Sequence, residues 1–205
     1  TDLNNKLIRF PLWFMYYPFY SMTNDKNDKN NIIDYIKNER NKNIKIKKEY
    51  YGSCIARHSS LGIRKLICDN MSKYGKIMYP SKFRKNCSIG PEPNDKIDFL
   101  KKVKYNICPE NSKFPEYYTE KIFHALESGC VPIYWAIDLP EKDIINPECY
   151  KFINIENKKL MKSQIKEVVE NYDKYINKNI FTENAKEVVN NYYKVLEENI
   201  EKCYM

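Results

Sequence analysis

Three consecutive residues, Thr119, Glu120 and Lys121, stand at the point where a polar loop gives way to an apolar helical pattern. Thr is a good helix N-cap, so Glu120 and Lys121 fall in the first turn. Free backbone N–H groups and the helix dipole favour phosphate at such a junction, and Lys121 adds a full positive charge. Glu120 can accept hydrogen bonds from ligand hydroxyls such as those of a ribose. The loop just upstream presents Glu110 and Asn111. A phosphate clamp beside a polyol acceptor suits a nucleoside diphosphate sugar. The plainer alternative is a capped surface helix whose Glu120 and Lys121 are merely solvated, and spacing by itself leaves both open.

The elements that would position these residues follow from the pattern around them. Strands are expected near 49–56, at 76–79, 104–108, 131–135 and 152–155. Helices are expected at 31–41, 63–73, from Asp95 to 102, and from Thr119 to Ser128 with Gly129 as the C′ residue. Alternation of strand and helix from about residue 44 is the signature of an α/β layer fold with a largely parallel sheet. In such sheets ligands bind beyond the carboxyl ends of the strands, where 109–121 would lie. From 157 onward a pair of amphipathic helices is expected, broken near 177–181. The expected organisation is an aromatic segment and linker over 1–43, a Rossmann-like unit over 44–156, and C-terminal helices over 157–205 packed on it.

The pattern E-N-x5-Y-x-T-E-K-x3-A-x3-G-x-V-P-I-Y-W, carried by Glu110, Asn111, Tyr117, Thr119–Lys121, Ala125, Gly129 and Val131–Trp135, resembles the signature of the α1,3/1,4-fucosyltransferases, glycosyltransferase family 10. Upstream, YGSCIARHSSLGIR at 51–64 is similar to that family's strand, Ser/Asn-rich turn and helix-borne arginine, and IRFPL at 8–12 to the segment joining its two domains. The resemblance implies a GT-B fold of two Rossmann-like domains, of which this chain is the C-terminal, donor-binding one. It implies GDP-fucose as donor, inverting transfer to a GlcNAc-type glycan, and no cofactor beyond the donor. Arg64 and Lys121 would neutralise the diphosphate, a task that suits a guanidinium because it grips two oxygens at once. Tyr117 would bond a phosphate, and Asn111 and Glu120 the ribose or fucose hydroxyls, with Glu110 beside them. Arg64, Lys121 and Glu120 are thus the expected catalytic set.

Three departures limit the resemblance. The family's general base is attributed to a glutamate of the N-terminal domain, so none is placed here, and a non-catalytic sugar-nucleotide-binding module is the alternative. Ala136 replaces a family glycine, and Tyr79–Asn86 replaces a glycine-rich loop, so a glycosyltransferase with another nucleotide sugar is a further alternative. The metal-binding D-x-D of many glycosyltransferases is missing from the sequence. His58 reads as a loop residue, and His124 as structural.

Composition narrows the remaining classes. The 205 residues suffice for one hydrophobic core. The net charge of +8 comes from lysines interspersed with acids, as an AT-rich coding sequence produces. No basic stripe is interleaved with stacking aromatics, which disfavours nucleic acid. The seven cysteines include no C-x-x-C pair, so they read as core residues in a reducing compartment. No apolar run approaches the ~20 residues of a membrane span. The location expected is cytoplasmic, or peripheral at the cytoplasmic face of a membrane, if the source is microbial, and the Golgi lumen if it is eukaryotic. The first residue is Thr, which suggests a piece of a longer polypeptide. The aromatics of 10–20 are expected to pack on an N-terminal domain.

Overall fold

The computed structural model describes residues 10–17, 31–59, 61–92 and 94–204. Five strands, β1 (Tyr50–Ser53), β2 (Ile77–Met78), β3 (Val103–Ile107), β4 (Val131–Tyr134) and β5 (Lys151–Phe152), form one all-parallel sheet in the order β2-β1-β3-β4-β5. The chain crosses from β1 outward to β2, then returns to the other side of β1 for β3. The order therefore reverses between β1 and β3, and a crevice opens there at the carboxyl ends of the strands.

Helices cover both faces: α1 (Ile32–Asn43), α2 (Ile63–Met71), α3 (Asp95–Leu100), α4 (Glu120–Glu127), α5 (Lys158–Glu170), α6 (Tyr172–Ile176) and α7 (Ala185–Tyr204). Strand β4 shows how the period of two feeds two cores. Val131 and Ile133, with Trp135 just beyond, pack with Ile63, Ile67, Met161 and Ile165 of α2 and α5. Tyr134, with Cys130 and Ala136 on either side of the strand, packs with α1, α3, α4 and α7.

A short 3-10 turn, Leu12–Tyr16, belongs to the second core. Trp13 stacks on Phe123 with centroids 3.8 Å apart, and Phe14 stacks on Tyr193 at 4.9 Å. The described aromatics of the opening segment therefore find their partners on α4 and α7 of this chain. The expected pair of C-terminal helices is three, because the chain breaks at Asn171 as well as after Asn177.

Gly129 fixes the far end of α4. Its φ is +71°, and a Cβ there would lie 2.8 Å from the Ile44 nitrogen and 2.9 Å from the Asn43 carbonyl carbon. Only glycine satisfies both the left-handed turn and the close approach of α1. Arg40, buried, donates to the carbonyls of Leu126, Cys130 and Ile176. A cation thus meets the negative end of α4, which leaves the positive end of that helix pointing into the crevice.

Candidate functional site

Two helices leave the strands that flank the crevice, and each carries an expected site cation in its first turn. Arg64 is the second residue of α2, which follows β1 through Leu61 and Gly62, both at positive φ. Lys121 is the second residue of α4, which follows β3. Both line one cleft, together with Lys96 of α3, Asn106 of β3, Cys108 and Pro109. The cleft is shallow: it holds about 20 Å³ of water-accessible space and opens to solvent.

Glu110 organises one wall. Its side chain is 0% exposed. Oε1 accepts from the Thr119 N–H at 2.9 Å and the Tyr134 hydroxyl at 2.9 Å, and Oε2 accepts from Lys121 Nζ at 2.6 Å. Thr119 Oγ1 lies 2.9 Å from Oε2 and receives a second hydrogen bond from Lys121 at 2.7 Å. Glu110 is therefore enclosed by protein donors and acts through Lys121; it does not face the cleft as a ligand contact. Thr119 occupies the N-cap position, as expected, yet its side chain makes no capping bond to the helix. Its hydroxyl is spent on Glu110 instead, so no side chain caps the first-turn amides of α4.

Asn111 forms the bridge to the other wall. Its Oδ1 accepts from Arg64 Nη2, while Arg64 Nη1 donates to the His58 carbonyl at 2.7 Å. Arg64 is 4% exposed. His58 contributes its backbone to this contact. Tyr117, half-buried, is not among the residues that line the cleft. The loop that carries Asn111 and Tyr117 turns at Glu116, whose φ is +58°, and the Glu116 N–H donates to Asp138 at 3.3 Å.

Glu120 meets a residue that sequence reasoning missed. Lys96 Nζ lies 3.2 Å from Glu120 Oε1 and 3.0 Å from His124 Nδ1. Burial pushes the Glu120 carboxyl up, but the opposing charges of Lys96 and Lys121 outweigh it and hold the group below its usual range. The charge of Glu120 in turn raises the Tyr16 phenol, which the 3-10 turn brings to this side of α4. The only hint of Lys96 in the sequence was its place one residue past a helix-starting Asp95.

His124 is enclosed. Burial, and then the neighbouring Lys96, depress its pKa from 6.5 to about 3. Because the folded value lies below the unfolded one, the unfolded chain takes up the proton first on acidification. The associated stability is complete above pH ~6.5 and is lost as pH falls toward ~3, at ~1.4 kcal/mol per pH unit inside that window. Urea melts between pH 6 and 4 are expected to show a shallower acid loss for His124→Gln than for the parent chain. Equal slopes would disprove the assignment.

The family model for glycosyltransferase family 10 (fucosyltransferase), C-terminal part, matches residues 20–203. An alpha-(1,3)-fucosyltransferase of Helicobacter pylori is 29% identical over 130 residues, which are 63% of this chain and 25% of that protein. The chain thus spans about a quarter of that relative's length. Two crystal structures of alpha1,3-fucosyltransferase, one with GDP-fucose and one with GDP, superpose with a TM-score of 0.65 at 19% identity. They cover 95% and 97% of this chain, and 67% of theirs is matched in each case. At that identity the superposition establishes the fold, a parallel α/β sheet of the GT-B kind. Among the described residues no helix is long and apolar enough to cross a membrane. With a family match that runs from residue 20 to residue 203 and an independent agreement in fold, the chain belongs to glycosyltransferase family 10.

Proposed function

We propose that this chain is the donor-binding half of an inverting fucosyltransferase, holding GDP-fucose for transfer to a GlcNAc-type glycan. The observation that carries the reading is the meeting of Arg64 and Lys121 in one cleft at the sheet's switch point. In fucosyl transfer the transition state resembles an oxocarbenium ion, and negative charge grows on the departing diphosphate. Fixed cations there lower the barrier, each by ~3 kcal/mol when well placed. Asn111 and Glu120 meet the ribose or fucose hydroxyls, and Tyr117 bonds a phosphate from the loop beside the cleft. Residues 44–156 make the nucleotide-sugar unit, with 1–43 as an aromatic segment and linker and 157–205 as C-terminal helices packed on it. The acceptor hydroxyl needs a general base, and in this reading the base comes from outside the donor cleft, on an N-terminal acceptor domain.

Calorimetric titration of the folded chain with GDP, GDP-fucose and UDP tests the proposal. Saturable binding of both guanine nucleotides, with UDP weaker, is the expected result. A folded sample that releases no binding heat at millimolar GDP would end the proposal.

A further inference from the structure

Charge in the cleft does not favour a diphosphate until Lys96 is included. Lys121 is paired with the buried carboxylate of Glu110 at 2.6 Å, and Lys96 with the carboxylate of Glu120 at 3.2 Å, while Arg64 donates to neutral oxygens of His58 and Asn111. Arg64 and Lys121 alone would only balance the charges of Glu110 and Glu120. Lys96, whose side chain is 27% exposed and lines the same cleft, makes three cations against two carboxylates and leaves the group with a net positive charge.

The partners of Lys96 hold it in place without cancelling it twice. An ammonium has only donors, so the His124 Nδ1 that lies 3.0 Å from Lys96 Nζ must be an acceptor. His124 is then the neutral Nε2–H tautomer. Its ring is wedged edge-on to Tyr17, with centroids 5.6 Å apart, and to Tyr16 at 6.4 Å. A neutral imidazole and one carboxylate oxygen thus take two of the three ammonium donors. The flexible four-carbon chain is kept from swinging out to solvent.

We propose that Lys96 is the third cation of the anion site, donating its remaining N–H to a phosphate oxygen of the bound diphosphate, with His124 as its positioning residue. This rests on the reading of the cleft as a donor site. It assigns the diphosphate three cationic contacts from three different helices, α2, α3 and α4, which converge on the reversal of strand order.

The test uses the whole chain, with inorganic pyrophosphate, GDP and guanosine as probes in calorimetry. Lys96→Met is expected to weaken pyrophosphate and GDP by the same factor, ~10–100-fold for one charge-assisted hydrogen bond. Guanosine affinity is expected to stay put, because a lost phosphate contact does not touch the nucleoside. Should Lys96→Met fail to fold, Lys96→Gln carries the test, since it keeps a polar N–H donor on a shorter side chain but brings no charge. Unchanged pyrophosphate and GDP affinity in a folded variant overturns the proposal, as does an equal loss for guanosine, which would mean a general disturbance. A parent chain that binds neither GDP nor pyrophosphate removes the donor-site reading itself, a failure distinct from that of Lys96 alone.

Discussion

Lys121→Ala is expected to lower GDP affinity by ~10–100-fold and, in an assembled enzyme, turnover by ~100–1,000-fold. Two effects combine. The first is loss of the cation beside the uncapped N-terminus of α4. The second is indirect: Glu110 has no exposed surface and takes its shortest hydrogen bond, 2.6 Å, from Lys121. Without Lys121 the buried carboxylate keeps only Thr119 and Tyr134 as donors. A buried charge that loses its partner is costly, so a fall in melting temperature should accompany the loss of binding. GDP affinity equal to that of the parent would show that the diphosphate sits elsewhere.

Glu110→Ala is expected to destabilise the chain by ~3–5 kcal/mol, the cost of breaking a buried pair from one side. The change removes the acceptor for the Thr119 amide, the Tyr134 hydroxyl and Lys121 together. Glu110→Gln should fall between the parent and Glu110→Ala, because an amide oxygen still accepts while the ion pair is gone. Denaturant midpoints for the three proteins give this ranking directly. A Glu110→Ala chain as stable as the parent would mean that the carboxylate is not the organiser of this wall.

Much of the fold could be read from local pattern, and the reasons are physical. Residues 131–135 are an uninterrupted apolar run bounded by Gly129 and a turn, which is what a strand buried on both faces requires; β4 is there. Thr119 and Gly129 bracket α4 because N-cap and C′ positions have residue-specific chemistry. The site was legible where chemistry and backbone position coincide: Arg64 and Lys121 lie in first turns that follow strands, and the sheet rule brings them together.

What stayed hidden depends on long-range contacts. Glu110 looks like a loop residue open to ligand, and only its enclosure by Tyr134, 24 residues on, shows that it faces inward. Lys96 is one lysine among many, and its distinction comes from His124, 28 residues away. The opening aromatics gave no clue to their partner, since Trp13 rests on Phe123, more than a hundred positions along the chain. The break at Asn171 escaped because helical periodicity runs on through Tyr172 and Tyr175, which both pack into the same core as α5.

The arrangement of two cores, one on each side of the sheet, has a practical outcome. The chain has two tryptophans. Trp13 lies in the core shared with α4, its indole N–H donating to Glu141 at 3.1 Å, and Trp135 lies in the core shared with α2. The protein therefore carries its own fluorophore in each layer. Replacing either indole by Phe turns the emission of the other into a local gauge, so that loosening of one layer during unfolding can be told apart from loosening of its opposite.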